Sequence, residues 1–517
     1  MRARRRLRQV VVLCALAAGL LVVLAAPARA AQAQESLFQD DSLLVFKSPH
    51  QVARTMDTLR FLGVDRVRVT VFWNLVAPSP ASRKRPSFDA TNPAAYPPGA
   101  WRIYDTIVRL AAARGLGVSF DVWGAVPAWA GGGTRNTNYV GHFEPSPTEF
   151  GLFMRALGAR YDGAHAGDDG RVLPRVSSWS IWNEPNGVHF LAPPWLHNGR
   201  DWFEASAVIY RQLVDDAWRG LADTGHGPGT DTILVGETAP KGSDGAGENR
   251  SLKPLAFIRA LYCVNRSLRP LGGRAAKIRG CPTSRQARAF PAAHPGLFAA
   301  TGYAHHPYQL LLAPTRPSDP DSVATADLPR LTGTLDRIFA AYRQTRRIPI
   351  YNTEFGYESR PPSAFGVPLG LQAAYLNESE FMGYRNPRLH SYSQFLLTDS
   401  AGAGLFQTGL VQRNGRRKPA YGAYRAPIWV PRTVSRAGRF RVWGLLRPGR
   451  REGVRTASIQ FARFGRRFAT VATASAARAR GYVDRTVRAP ASGWIRLVWR
   501  DPAIRGTTFS RAVAVYR

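Results

Sequence analysis

The sequence is short of cysteine and of acidic residues, and beyond its first thirty residues it has no long apolar run. Its 517 residues include 3 Cys and 4 Met. So few cysteines exclude a disulfide-rich scaffold, and no His or Cys cluster has the spacing of a metal site. No later stretch has the roughly 20 apolar residues that cross a bilayer. We therefore predict a protein without metal, cofactor or membrane span after removal of its leader.

The first thirty residues have the pattern of an export signal. Arginines near the N-terminus precede an apolar stretch from Val10 to Leu24, and Ala28-Arg29-Ala30 is a small-x-small cleavage site. We predict a signal peptide over residues 1–30 and a secreted, extracytoplasmic protein; an uncleaved N-terminal anchor is the alternative. In an oxidising compartment, Cys263 and Cys281 are expected to form one disulfide.

The charge is strongly one-sided. The sequence has 70 Lys and Arg against 35 Asp and Glu, a formal net charge of +35 at pH 7. Such a chain attracts anionic polymers. The basic residues are spread through every segment, however, and no helix-turn-helix, finger or aromatic RNA-binding signature is present. The composition therefore favours either a general bias toward arginine or an affinity for anionic cell-envelope glycans over nucleic-acid binding.

Apolar strands alternate with amphipathic helices along most of the chain. The predicted strands are Ser42–Phe46, Arg66–Phe72, Gly117–Trp123, Val176–Trp182 (carrying Glu184 at its end), Thr232–Glu237, Ala299–His306, Ile348–Glu354 and Ser391–Leu397. Eight such repeats predict a (β/α)8 TIM barrel over residues 35–427, with the active site at the carboxyl ends of its strands.

Beyond Pro427 the pattern changes to short alternating strands without helices. These strands predict a small antiparallel β-sandwich as an accessory domain over residues 428–517. Its many arginines form either a solvated face or a dedicated ligand surface.

Two glutamates end predicted strands beside aromatic residues, in Trp182-Asn183-Glu184-Pro185-Asn186 and in Thr353-Glu354-Phe355-Gly356. Strands four and seven face each other across the mouth of a closed barrel, so the two carboxylates are expected to converge. A carboxylic acid held among aromatic side chains favours its neutral form, as a general acid requires. Such a pair can cleave a glycosidic bond, one group protonating the leaving oxygen while the other attacks the anomeric carbon.

These two motifs resemble those of the retaining glycoside hydrolases of clan A, in particular families 5 and 39. The resemblance covers roughly Ser42 to Pro427. It implies that Glu184 is the acid/base and Glu354 the nucleophile. It also implies that Asn183 hydrogen-bonds the sugar 2-hydroxyl and strengthens that bond in the transition state.

Other positions extend the resemblance. Arg68 on strand two matches the arginine that keeps the nucleophile ionised. His306-Pro307-Tyr308 resembles the His-x-Tyr of the clan, which implies substrate-site roles for His306 and Tyr308, with Tyr308 as a hydrogen-bond partner of the nucleophile. The tryptophan that the clan places at the end of strand eight is missing, and Gln394 or Phe395 is expected in its place.

Further candidates come from their positions at strand ends. Four tryptophans beyond strand ends are expected either to stack on sugar rings or to pack in loops: Trp73 and Trp123, which we favour as substrate-binding, and Trp129 and Trp195. Glu237, at the end of strand five, is a candidate sugar-binding carboxylate or rival acid. His305 is expected to be structural.

The sequence therefore predicts a secreted retaining O-glycoside hydrolase that cleaves a poly- or oligosaccharide by double displacement. The alternative is a non-catalytic polysaccharide-binding protein of the cell envelope, whose aromatic side chains hold a glycan.

Overall fold

The computed structural model describes residues 34–283, 287–402, 406–435, 437–447, 455–476, 480–501 and 504–517. The predicted signal peptide over residues 1–30 lies outside the described residues. Within these ranges, no helix combines the length and the apolar character needed to span a bilayer.

Eight parallel strands close into a barrel in sequence order, and the first strand pairs with both the second and the eighth. The strands are β1 Glu35–Gln39, β2 Arg66–Phe72, β3 Gly117–Trp123, β4 Ser178–Ile181, β5 Thr232–Thr238, β6 Gly302–His305, β7 Ile350–Asn352 and β8 Leu389–Phe395. This arrangement confirms the predicted (β/α)8 barrel.

Helices fill the segments between the strands. The α-helices are α1 Asp41–Leu44, α2 Pro49–Leu62, α3 Trp73–Val76, α4 Arg102–Ala113, α5 Pro147–Arg160, α6 Ala205–Ala222, α7 Pro254–Leu261, α8 Gly273–Ile278, α9 Phe290–Ala293, α10 Pro295–Ala299, α11 Leu328–Ala341, α12 Leu369–Tyr384 and α13 Pro419–Arg425. Ser48 begins α2 with a capping box, and Gly63 ends it at φ 81°.

The first strand was predicted in the wrong place. Residues 42–46 do not form a strand; the strand is β1, and α1 occupies Asp41–Leu44. The Asp40 side chain accepts a hydrogen bond from the Leu43 backbone N–H and so begins a helix where the sequence showed an apolar run. The wrong assignment arose because β1 carries polar side chains, among them Gln39, into the barrel interior.

The barrel strands are buried on both faces, and their side chains alternate between two environments. In β2, Val67, Val69 and Val71 are fully buried apolar residues of the main core. Arg68 lies between them and contacts side chains from several other strands inside the barrel. The buried Arg68 therefore lies where the interior of the barrel meets its open end.

The C-terminal residues form two antiparallel sheets that pack into a sandwich, as predicted. Its strands are β9 Ile428–Trp429, β10 Arg439–Leu445, β11 Thr456–Arg463, β12 Ala469–Ser475, β13 Tyr482–Arg488, β14 Gly493–Asp501, β15 Gly506–Phe509 and β16 Val513–Val515. One sheet has the order β9-β10-β13, and the other has β12-β11-β14-β15 with β16 also on β14. Apolar side chains of both sheets share one cluster.

The sandwich packs directly against α12 of the barrel. Phe381 stacks on Trp429 with ring centroids 3.8 Å apart, and Tyr384 packs against Tyr482 at 4.8 Å. Glu380 forms a buried ion pair with Arg447. The predicted bounds of the two domains, 35–427 and 428–517, stay predictions, since Ala426 and Ile428 on either side of that boundary both belong to the sandwich cluster.

Cys263 and Cys281 form the predicted disulfide, with Cα atoms 5.6 Å apart. The bond closes the segment that follows α7, and 18 positions separate the two residues. Arg211 of α6 donates to the Gly280 and Arg279 carbonyls within the same segment. The disulfide therefore fixes a long loop that a helix of the barrel also holds.

We expect the double variant Cys263→Ser, Cys281→Ser to lose about 3 kcal/mol of unfolding free energy, because a loop of this length gains that much entropy in the unfolded chain when it opens. Denaturant titration of the oxidised wild type and the variant measures the loss. Reductant should destabilise the wild type equally and leave the variant unchanged. Equal midpoints for oxidised wild type and variant would contradict the expectation.

Candidate active site

Glu184 and Glu354 follow β4 and β7 at the same end of the barrel. Strand β4 ends at Ile181, so Glu184 lies three residues beyond it and not at its last position as predicted. Trp182 and Glu184 both adopt positive φ, at 66° and 38°. Non-glycine residues rarely adopt this conformation, and its cost must be offset by surrounding contacts. This turn carries the Glu184 side chain back over the barrel mouth.

Both carboxylates meet at His306. Its Nδ1 lies 2.8 Å from Glu184 Oε1 and 3.5 Å from Glu354 Oε2. The two carboxylate oxygens can therefore be no farther apart than the sum of these distances. The side chains of Glu184 and Glu354 keep 16% and 11% of their surface exposed, whereas His306 is fully buried. The pair thus faces the cleft from above a buried histidine, as expected for two groups acting on one ligand.

The residues predicted around the nucleophile surround Glu354. Arg68 Nη1 lies 3.4 Å from Glu354 Oε2, and the Tyr308 hydroxyl donates to Glu354 Oε1 at 2.8 Å. Arg68 Nη2 donates to Asn183 Oδ1 at 2.9 Å, which orients the amide next to Glu184. Arg68 thus contacts both Asn183, the residue before Glu184, and the carboxylate of Glu354.

Glu237 is the functional residue to which the sequence gave too little weight. Its side chain is fully buried and accepts from His306 Nε2 and the Thr353 hydroxyl at 2.7 Å each, and from Arg68 Nη2 at 3.1 Å. The Ser180 hydroxyl also donates to it. These contacts leave Glu237 no access to a ligand, so it is neither a sugar-binding carboxylate nor a rival acid. It is a buried anion beneath the cleft that holds two cations in place.

The charged groups of the site shift one another's pKa values. Burial alone would lower the pKa of His306, but Glu354, Glu184 and Glu237 outweigh it and raise this pKa to about 10. Burial also opposes ionisation of Glu237, yet Arg68 and His306 bring its pKa to about 2. His306 is therefore an imidazolium at neutral pH, and both its nitrogens donate to carboxylates.

Burial is the largest influence on the pKa of two further acids. Burial raises the pKa of Glu354; Glu184 acts in the same direction, whereas His306 and Arg68 act to lower it. Burial raises the pKa of Asp121 well above its usual value, although Arg68 Nη2 lies 3.1 Å away and opposes the shift. Asp121, Glu237 and Glu354 all act to raise the pKa of Arg68 against its burial, so Arg68 stays charged among three acids.

We expect the unfolding free energy to fall as pH rises from about 6.5 to about 10. In this window the folded chain keeps the proton on His306 while the unfolded chain, with an ordinary pKa of 6.5, has lost it. The contribution is complete below the lower pH and absent above the higher one. Denaturant titration at several pH values measures the slope, with His306→Gln as the comparison. Parallel pH dependences for wild type and variant would contradict this assignment.

Trp73, predicted to stack on a sugar, belongs instead to the core. It begins α3, is 1% exposed and stacks on Phe153 at 5.4 Å. The chain turns into α3 directly after β2, and this turn directs the ring inward. Trp123 is half-buried at the end of β3 and packs against Phe190 at 5.1 Å, so its sugar-binding role stays a prediction.

The other two tryptophans are anchored in loops, since each indole N–H donates to a backbone carbonyl. Trp129 donates to Pro78 and Trp195 to Arg250. Their half-buried rings still lie along cavities at the surface.

At the end of β8, the buried side chain of Gln394 donates to the Phe395 and Thr408 carbonyls, so its amide nitrogen is used within the protein. Phe395, the next residue, is half-buried.

His305 is fully buried, and its ring nitrogens lie within hydrogen-bonding distance of Thr238 Oγ1 and the Val323 carbonyl. Burial lowers its pKa to about 3, which leaves it neutral. The histidine is structural, as predicted.

Across the ranges that the structure describes, no group of three or more His, Cys, Asp or Glu side chains is arranged to hold a metal ion. The cations of the site are the protein's own Arg68 and His306.

No protein-family model and no curated protein sequence matches the chain. Solved structures of similar fold include a variant of β-glucuronidase 2 from Bacteroides uniformis, with 10% identity over 94% of this chain and 45% of that one (TM-score 0.42). They also include an exo-β-1,4-mannosidase from Opitutaceae bacterium strain TAV5, with 15% identity over 76% of this chain and 58% of that one (TM-score 0.41). Aphid myrosinase has 13% identity over 76% of this chain and 97% of that one (TM-score 0.43).

The chain spans about half the length of the first two of these proteins. At TM-scores below 0.5, function has to be inferred from the residues of the site.

Proposed function

We propose that the protein is a retaining O-glycoside hydrolase. The observation that supports this most directly is the convergence of Glu184 and Glu354 on one nitrogen of His306. Retaining glycosidases hold their two carboxyl groups about 5–5.5 Å apart, and inverting ones about 6.5–9.5 Å apart to admit a water molecule. The sum of the two distances to His306 lies below the inverting range. This upper limit applies to one pair of carboxylate oxygens, and it supports attack by a carboxylate over attack by water.

The contacts of each glutamate suggest its role. Arg68 and Tyr308 both contact Glu354 and stabilise its anion against the burial that raises its pKa, as suits the nucleophile that forms the glycosyl-enzyme. Glu184 is the more exposed carboxylate and acts first as general acid on the leaving oxygen, then as general base on the incoming water. Asn183, held by Arg68, donates to the sugar 2-hydroxyl.

We expect the first sugar product to keep the anomeric configuration of its substrate, because two displacements at one carbon restore it. A panel of poly- and oligosaccharides, including acidic envelope glycans, identifies a substrate by mass spectrometry of the products. Proton NMR during the first minutes of that reaction then reads the anomer before mutarotation. A first product of opposite configuration would assign an inverting mechanism and contradict the proposal.

The proposed setting is outside the cytoplasm, on an anionic glycan of the cell envelope. The pattern of residues 1–30 and the net charge of +35 support it. Fusion of residues 1–34 to a reporter that is active only after export tests the location. Failure of the fusion to leave the cytoplasm would contradict it without affecting the proposed chemistry.

A non-catalytic glycan-binding protein is the second candidate, favoured by the basic face of the sandwich. Arg439 and Arg488 lie directly opposite each other on β10 and β13 and are both exposed, although like charges in such a pair repel. A bound polyanion would relieve that repulsion. Glycan binding without turnover of any member of the panel would favour this candidate over the enzyme.

A further inference from the structure

A cavity of about 450 Å³ opens between the loops that follow β5, β6, β7 and β8. Most of its lining is apolar. The apolar side chains are Tyr308, Leu310, Leu311, Leu312, Phe365 and Phe406.

The cavity adjoins the carboxylate of Glu354 through residues that lie beside both. Tyr308 lines the cavity and donates its hydroxyl to Glu354, and Gly356, two residues beyond Glu354, lines it as well. The Tyr308 ring packs between Phe355 and Phe406, at 6.1 and 5.8 Å. Tyr308 therefore places the cavity next to the carbon that Glu354 would attack.

The apolar side chains are held toward solvent and are not folded into the core. Leu310, Leu311 and Leu312 are 47%, 50% and 49% exposed, and Phe365 is 80% exposed. Large apolar side chains grouped at a surface mark binding sites, since each costs free energy while it contacts water. The Tyr357 hydroxyl donates to the Leu312 carbonyl at 3.0 Å and fixes this loop. The surface is thus formed before any ligand arrives.

The lining suits an apolar group better than a sugar ring. Gln309 is 1% exposed and donates to the Arg316 carbonyl, and the buried Thr408 hydroxyl donates to the Phe395 carbonyl. The Gln309 amide nitrogen and the Thr408 hydroxyl are therefore used within the protein, and Gln309 Oε1 is the one polar atom of these two side chains without a hydrogen-bond partner. The charged residues of the lining are Lys241 and Glu358. A sugar unit needs several convergent donors and acceptors, whereas an alkyl or aryl group needs none.

We infer that this cavity binds the apolar aglycone of a glycoside, so that the substrate is a sugar joined to an alkyl, aryl or lipid group. The inference rests on the proposed glycosidase function, because it is the reacting sugar that places the aglycone. Glu184 then protonates the oxygen that joins the two parts, and the aglycone leaves as an alcohol.

The test is a titration calorimetry series with methyl, butyl and hexyl β-D-glucosides and β-D-mannosides, on the full chain carrying Glu184→Gln to stop turnover. The hexyl glycosides are expected to bind on the order of 10³-fold more tightly than the methyl glycosides, because each of their five additional methylenes gains about 0.8 kcal/mol when buried. Added singly to that chain, Leu311→Ser and Phe365→Ser should remove most of this dependence. Ile504→Ser, which shortens an apolar side chain of the sandwich that is 47% exposed, is the matched control and should retain it.

Equal binding of methyl and hexyl glycosides would overturn the inference, and so would a chain-length dependence that Leu311→Ser and Phe365→Ser leave intact. Concentration-dependent dimerisation that Phe365→Ser abolishes would assign the surface to a second copy of the chain and also overturn it. Because binding is measured without turnover, the two proposals fail separately. If no glycoside is hydrolysed, tighter binding of the longer alkyl glycosides can still be measured. If binding does not depend on alkyl-chain length, hydrolysis can still be measured.

Discussion

Replacing Glu354 by glutamine should reduce turnover by on the order of 10⁴- to 10⁶-fold, as is usual when the group that forms a covalent intermediate is lost. A neutral amide keeps the size of the side chain and its bond from Tyr308 but cannot attack the anomeric carbon. Initial rates on a substrate found with the glycan panel measure the effect. Thermal unfolding of the variant shows whether its fold is preserved.

The matched control is Glu248→Gln, which makes the same change at an exposed glutamate in the loop after β5. It should leave turnover within about twofold of wild type. A slow substrate that traps the intermediate identifies the nucleophile directly, because peptide mass spectrometry locates the attached sugar. A sugar on Glu184 would exchange the two assigned roles. Unchanged turnover in Glu354→Gln would remove the proposed mechanism altogether.

Replacing Glu237 by glutamine should have the second largest effect, although this residue does not reach the cleft. Arg68 and His306 would keep their charges but lose the buried anion between them. Removing one partner of a buried ion pair costs about 3–5 kcal/mol of unfolding free energy. The pKa of His306 should fall, because Glu237 is one of the acids that raise it. As His306 and Arg68 shift, kcat/KM should drop by about 100-fold.

The control for Glu237→Gln is Glu380→Gln, which breaks the buried pair with Arg447 away from the cleft. Both variants should lose stability, but only Glu237→Gln should move the alkaline limb of the pH–rate profile to lower pH. That limb is a readout that a merely structural role would not change. Equal profiles for the two variants would mean that Glu237 stabilises the fold without tuning the site.

The sequence predicted that Glu184 and Glu354 lie at one end of the barrel because local signals coincide there. Glu184 and Glu354 each follow a short apolar strand, and alternating helices make a closed barrel the natural arrangement of those strands. Arg68 and Tyr308 were found through resemblance, and the structure brings both to Glu354. The approximate position of each of these residues follows from strand order alone.

The remaining features depend on contacts that the sequence does not display. Strand β1 was missed because Ser36 and Gln39 bond to Tyr424 and Arg68, which are distant in sequence, so the strand lacks an apolar pattern. Glu237 was undervalued because its role depends on lying beneath His306 and not beside a ligand. Trp73 was misassigned because the turn after β2, not the residue type, decides which way the ring faces.

The stacking of Phe381 on Trp429 and of Tyr384 on Tyr482 has a consequence for how such a protein can be divided or recombined. A polypeptide ending at residue 427 would expose the rings of Phe381 and Tyr384 and the carboxylate of Glu380 to water, which favours aggregation. The C-terminal residues are therefore not an interchangeable appendage, and barrel and sandwich have to be inherited and expressed as one unit.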